Sequence, residues 1–164
     1  MLPELEATYD ERVGRLAKES VAQSLVPEIG QPLPTFRMRD TVGEVVELKS
    51  LLKEGPLVIS FNRGPWWDYC GLELHALARC YSEIVAAGGE VISIVPEARE
   101  FASVLKETRH VPFKVATDLD LSYASSLGLV FPVGDKIKQM YEGFGLDLAR
   151  FQAMTAGCYP FQPR

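Results

Sequence analysis

The run Leu57-Val58-Ile59-Ser60-Phe61 constrains this chain more than any other stretch. It is a nearly continuous β-prone apolar segment, the pattern of a strand buried on both faces. Strands of that kind belong to parallel sheets covered by helices. The segment that follows supplies such a helix, with Leu74, Leu77, Tyr81, Ile84 and Val85 on one face and Gly88-Gly89 as its stop. The alternation then repeats: Glu90 to Val95 reads as a second buried strand, Glu97 to Arg109 as a helix, and Phe113 to Thr117 as a third strand. Strands and helices of these lengths imply right-handed β-α-β crossovers and an α/β fold.

Upstream, Thr35 to Arg39 and Val45 to Leu48 read as the arms of a hairpin turned at Val42-Gly43, and Ser50 to Glu54 as one helical turn ended by Gly55-Pro56. Prolines 27, 32 and 34 mark an extended connection before the hairpin. The first 28 residues place Leu5, Tyr9, Val13, Leu16 and Val21 at near-helical steps. They predict an amphipathic helix that packs on its own domain or forms a dimer contact. The division expected is a helical extension over 1–28 and one α/β domain over 29–164. Beyond Asp118 the sequence reads as helical or irregular, with helices expected over Leu121–Leu127, Lys136–Tyr141 and Leu146–Ala153, and with the last eight residues in neither state.

At 164 residues, with 47% hydrophobic and 24% charged residues, the chain has the composition of one globular domain rather than a disordered segment. Lys+Arg 17 against Asp+Glu 22 leaves a net charge of -5, which argues against nucleic-acid backbone binding. No segment reaches the roughly 18 apolar residues of a membrane helix, and charges interrupt the N-terminus too often for a signal peptide. Three cysteines, at 70, 80 and 158, are too few for a disulfide scaffold and point to a reducing cytoplasm.

The chemistry concentrates after the first buried strand, in Asn62-Arg63-Gly64-Pro65-Trp66-Trp67-Asp68-Tyr69-Cys70. Ligands of open α/β sheets collect at the carboxyl ends of strands. Asp68 as N-cap places Cys70 in the first helical turn, where unpaired N–H groups and the helix dipole favour a thiolate. Arg63 adds positive charge and Asp68 opposes it. Cys80 lies about 15 Å along the same helix, beyond disulfide reach and beside the apolar face, so a buried structural role is expected. His75 and His110 stand alone, and no cluster has metal-ligand spacing.

These residues resemble a family. The strand, Arg63-Gly64, the aromatic, Cys70 and Gly71-Leu72-Glu73-Leu74 are similar to the peroxiredoxin-like proteins of the alkyl hydroperoxide reductase/thiol-specific antioxidant group, of thioredoxin-like fold. Ile29 to Gly43, Ile92 to Glu97 and Val111 to Asp118 extend the resemblance in the same order. It implies a mostly parallel central sheet flanked by helices. It also implies a thiol peroxidase in which Cys70 attacks hydrogen peroxide or an organic hydroperoxide, with no cofactor or metal and with an external thiol such as thioredoxin or glutathione as reductant. Cys158 is the candidate resolving cysteine, within the chain or across a homodimer.

The sequence departs from the family at two places. Trp67 stands where members carry a cysteine or a threonine, which removes a two-cysteine cycle within the motif and the usual hydroxyl. The chain ends near Pro160 and Pro163, where the closing hairpin and helix of the family would follow, so an incomplete C-terminal edge is expected. Two function classes follow: a peroxidase using Cys70, or a catalytically degenerate thioredoxin-like interaction or structural protein.

Overall fold

Five strands form one sheet in the order β2-β1-β5-β4-β3 in a computed structural model. The structure describes residues 26–132 and 135–146, with Glu11, Gly14 and the backbone of 158–160. The strands are β1 (Arg37–Asp40), β2 (Val45–Glu47), β3 (Leu57–Phe61), β4 (Glu90–Val95) and β5 (Lys114–Thr117). The helices are α1 (Leu48–Glu54), α2 (Asp68–Ala86), α3 (Arg99–Thr108), α4 (Ser122–Ser126) and α5 (Asp135–Gly143). β3, β4 and β5 run parallel, as the crossover pattern predicts, and β1 pairs antiparallel to both β5 and β2. The result is the mixed sheet of a thioredoxin-like fold.

The alternation of strand side chains distributes the core between the two faces of the sheet. Ile92 and Ile94 join Phe36, Met38, Leu48, Leu51, Tyr123 and Leu127 on one side. Val91, Val95 and Val115 join Leu74, Ala102, Leu105 and Phe113 on the other. α1 and α4 therefore cover one face and α2 and α3 the other. Leu77, Tyr81 and Ile84 of α2 pack on the second cluster as their spacing predicts, whereas Val85 is exposed.

Three expectations need correction. β3 is a terminal strand of the five-stranded order among the described residues, not a strand buried on both faces. Val58 is exposed and only Ser60 is fully buried. An apolar run of five does not distinguish an edge from a centre: β3 packs Leu57, Ile59 and Phe61 on the first cluster and leaves Val58 exposed, whereas β4 packs on both clusters. Residues beyond Asp118 are not only helical or irregular: β6 (Val130–Pro132) pairs antiparallel with β7 (Cys158–Pro160) as a separate two-stranded sheet, so part of the tail is a strand. Proline at each strand's end hides this pairing in the sequence, since proline reads as a breaker except at edges and first or last positions. Cys80 is exposed rather than buried, because its position falls off the stripe that Leu77, Tyr81 and Ile84 define.

The expected N-terminal helix and most of the Leu146–Ala153 helix fall outside the described residues, with Glu11 and Gly14 alone assigned as helical. Among the described residues no helix is long and apolar enough to cross a membrane.

Candidate active site

The loop that leaves β3 curls over the start of α2 and holds the Cys70 sulfur from above. The Arg63 N–H donates to Cys70 Sγ at 3.2 Å, and the Gly64 N–H acts on the same sulfur. The Trp67 N–H in turn donates to the Gly64 carbonyl at 3.3 Å, which closes the loop into a tight bend. α2 begins at Asp68, with Trp67 as its N-cap residue and no side-chain cap bond. Asp68 is thus one position further into the helix than expected. Cys70 lies in the first turn, as the sequence predicts, and is 0% exposed.

Burial pushes the Cys70 thiol above its ordinary value, the Arg63 and Gly64 N–H groups pull it down, the Glu73 charge raises it and the Arg63 charge lowers it. The net direction is upward. This corrects the expectation that the helix start produces a ready thiolate: removing the sulfur from water outweighs the donors that face it. The carboxylate acting on Cys70 is that of Glu73, one turn along the helix, and not that of the exposed Asp68.

Arg63 and Trp67 come together as a stacked pair, with the guanidinium carbon 5.0 Å from the indole centroid. Trp67 also meets Trp66 edge-on at 5.7 Å and Tyr69 at 5.7 Å, and Trp66 meets Tyr141 of α5 at 5.9 Å. The aromatic pair that follows Gly64-Pro65 therefore joins the Cys70 loop to α5, where Trp66 packs on Ile137 and Tyr141. Cys158 belongs to β7, its backbone opposite Pro132, and its side chain is not among those described.

Beneath the first turn of α2 lies a polar network that the sequence did not announce. Ser60 and Ser93 are register partners on β3 and β4. Asn62 Nδ2 donates to both hydroxyls, at 2.7 and 2.9 Å, and Ser60 Oγ donates to Glu73 Oε1 at 2.6 Å. Ser60, Asn62 and Ser93 are all buried. Small polar residues inside apolar strands are the one available signal for this layer, because a buried hydroxyl requires a partner.

Glu97, two residues after β4, is the other residue missed. It is 0% exposed, and neither carboxylate oxygen has a hydrogen-bond partner among the described residues. Burial alone pushes its carboxyl from 4.5 up to about 8. Its carboxyl lies against the α-carbon of Gly64: a β-carbon there would fall 1.9 Å from Oε1. Gly64 also has φ +114, so the position requires glycine on both steric and conformational grounds. Among the described residues no group of three or more His, Cys, Asp or Glu is arranged to hold a metal ion.

Comparison with solved structures yields peroxiredoxins. Peroxidoxin BcpB from Mycobacterium tuberculosis superposes with a TM-score of 0.60 at 20% identity, covering 62% of this chain and 66% of that one. The yeast mitochondrial 1-Cys peroxiredoxin, whose thiol is resolved through glutathione/thioredoxin systems, gives 0.56 at 20% identity over 63% of this chain and 52% of that one. The Xanthomonas campestris bacterioferritin comigratory protein, which has alkyl peroxide reduction activity, gives 0.58 at 15% identity over 64% and 69%. This chain spans less than two thirds of BcpB and about half of the yeast protein. No curated protein matches the sequence. Residues 29–143 match the AhpC/TSA family, which is more than half of the chain, and the chain belongs to that family of peroxiredoxin-like proteins.

Proposed function

We propose that this protein is a thiol peroxidase in which Cys70 reduces hydrogen peroxide or an organic hydroperoxide. The observation that carries the reading is the Cys70 sulfur at the start of α2, held by the Arg63 N–H at 3.2 Å on the carboxyl side of β3. In the thiolate form Sγ attacks the terminal peroxide oxygen. The S–O bond forms as the O–O bond breaks, and the departing oxygen leaves as water or an alcohol after taking up a proton. Cys70 becomes a sulfenic acid. A thiol then attacks that sulfur and releases water, and a second thiol attacks the first thiol's sulfur in the mixed disulfide, forming a disulfide between the two reducing thiols and releasing Cys70 as thiolate.

The reducing thiol is external, of the thioredoxin or glutathione class, with Cys158 as the candidate resolving residue of this chain. Arg63 and its partner Trp67 wall the site, and the Arg63 charge favours the thiolate. The family match begins at residue 29, which supports reading 1–28 as an extension ahead of the catalytic domain. A homodimer in a reducing cytoplasm is the setting that fits a free thiol of this kind.

The complete burial of Cys70 favours the second reading, a degenerate thioredoxin-like interaction or structural protein, since a buried thiol also serves as core filler. Peroxide consumption with a thioredoxin or glutathione reducing system separates the two. Turnover that Cys70→Ser abolishes supports the peroxidase. Turnover that is absent, or unchanged in Cys70→Ser, leaves the structural role.

A further inference from the structure

Native proteins leave few buried polar atoms without a partner, and each such atom calls for a reason. Here they gather in one place. Asn62 Oδ1, Arg63 Nε and both oxygens of Glu97 are buried and without a hydrogen-bond partner among the described residues. Asn62 and Arg63 belong to the loop that holds Cys70, and Glu97 packs against that same loop at Gly64. One residue, Gly64, therefore meets both groups: its N–H acts on the Cys70 sulfur and its α-carbon supports the Glu97 carboxyl. Amide nitrogen and α-carbon are about 1.5 Å apart, so a charge appearing at Glu97 is felt at the sulfur across a single residue in a water-poor interior.

We propose that Glu97 is a positioning residue for Cys70, which as a neutral acid buttresses the Arg63–Gly64 bend and as an anion suppresses formation of the Cys70 thiolate. The proposal deepens the peroxidase reading and rests on Cys70 being the reactive thiol. The charged groups that face Cys70 are Arg63 from the loop and Glu73 from α2, while Asp68 is exposed at the helix start. The Arg109 guanidinium, just past α3, lies against the neighbouring Gly71. At Glu97 burial is the one resolved influence, which keeps the carboxyl neutral through the physiological range. Glu97, packed on the loop that holds the sulfur, gains its charge as pH rises through about 8. The consequence is a brake on thiolate chemistry that engages as the medium turns alkaline.

The test is pulse alkylation of the intact protein with iodoacetamide, read on the Cys70 peptide by mass spectrometry, for wild type and Glu97→Gln. Near about pH 6 the two should react within about twofold of each other, because both carry a neutral side chain at position 97. Near about pH 9 Glu97→Gln should react about three- to tenfold faster. Superimposable profiles, or an equal change at every pH, would overturn the proposal, since a purely structural role has no pH dependence of this form. Should Glu97→Gln fail to fold by circular dichroism, Glu97→Met supplies the same neutral side chain and the same expected profile. Alkylation needs no peroxide. A shifted profile in a protein without peroxide turnover would sustain the Glu97 proposal and end the peroxidase reading, while turnover with superimposable profiles would do the reverse.

Discussion

The carboxyl of Glu97 occupies the space that a side chain at Gly64 would need, and Gly64 in turn presents its N–H to the Cys70 sulfur. A glycine in the loop after β3 and an acid in the loop after β4 are thus interlocked. Gly64→Ala should destabilise the protein by about 2–4 kcal/mol, from a positive φ that alanine resists and from overlap with Glu97. Glu97→Ala should relieve only the overlap. A double-mutant cycle in urea is expected to show coupling of about 1 kcal/mol or more, with simple additivity counting against the contact.

The raised carboxyl of Glu97 also has a consequence for stability. Its folded value of about 8 lies above the ordinary 4.5, so between those values the folded state holds a proton that the unfolded state has lost. Stability from this group is therefore complete below about pH 4.5 and falls as pH rises toward about 8, by on the order of 4 kcal/mol across the window. Thermal melts from acid to mildly alkaline pH should show Glu97→Gln gaining on wild type as pH rises. Parallel curves for the two proteins would show that Glu97 does not titrate in this way.

Beneath α2, Asn62 joins two strands to the helix by donating to Ser60 and Ser93 while Ser60 donates to Glu73. Asn62→Leu should cost about 2–3 kcal/mol, because it leaves buried hydroxyls without their donor. An exposed control, Asp68→Asn, should stay within about 0.5 kcal/mol. Chemical denaturation of the two variants checks the contrast.

Cys70 and Cys80 share a helix but differ in burial, Cys70 being 0% exposed and Cys80 exposed. Near neutral pH, Cys80 should be alkylated at the rate of a free thiol and Cys70 at least about tenfold more slowly, with the difference lost in denaturant. Time-resolved labelling read by peptide mass spectrometry measures both in one sample. Equal rates would mean that the cover over Cys70 is open in solution.

Much of the arrangement was legible in particular residues. Val91, Ile92, Ile94 and Val95 predict a strand covered on both faces, and they occupy one. The alternation with helices predicts the parallel β3-β4-β5 core, and the position of Cys70 in the first turn of α2 follows from the same pattern. Glu97 was not legible, because an acid that follows a proline at an expected helix start reads as surface, whereas the helix begins only at Arg99. Its burial depends on the missing side chain of Gly64, which comes from another loop. β3 at the sheet edge and β7 in the proline-rich tail escaped for the same reason: each is decided by which distant segment packs alongside, and local pattern carries no record of that, whereas Cys80 stands just off the stripe of Leu77, Tyr81 and Ile84.

In the proposed reaction a nucleophilic Cys70 is oxidised by peroxide to a sulfenic acid. The direct measurement is dimedone trapping of sulfenic acid on the Cys70 peptide after stoichiometric hydrogen peroxide or an organic hydroperoxide, with reduced protein and no added reductant. The expected result is an adduct on Cys70 that forms at least about a hundredfold faster than on an unstructured cysteine peptide, despite slow alkylation of the same thiol, because the positive charge of Arg63 beside the sulfur favours the negative charge passed to the departing oxygen. Adduct on Cys80 alone, or Cys70 oxidation no faster than in the peptide, would contradict it.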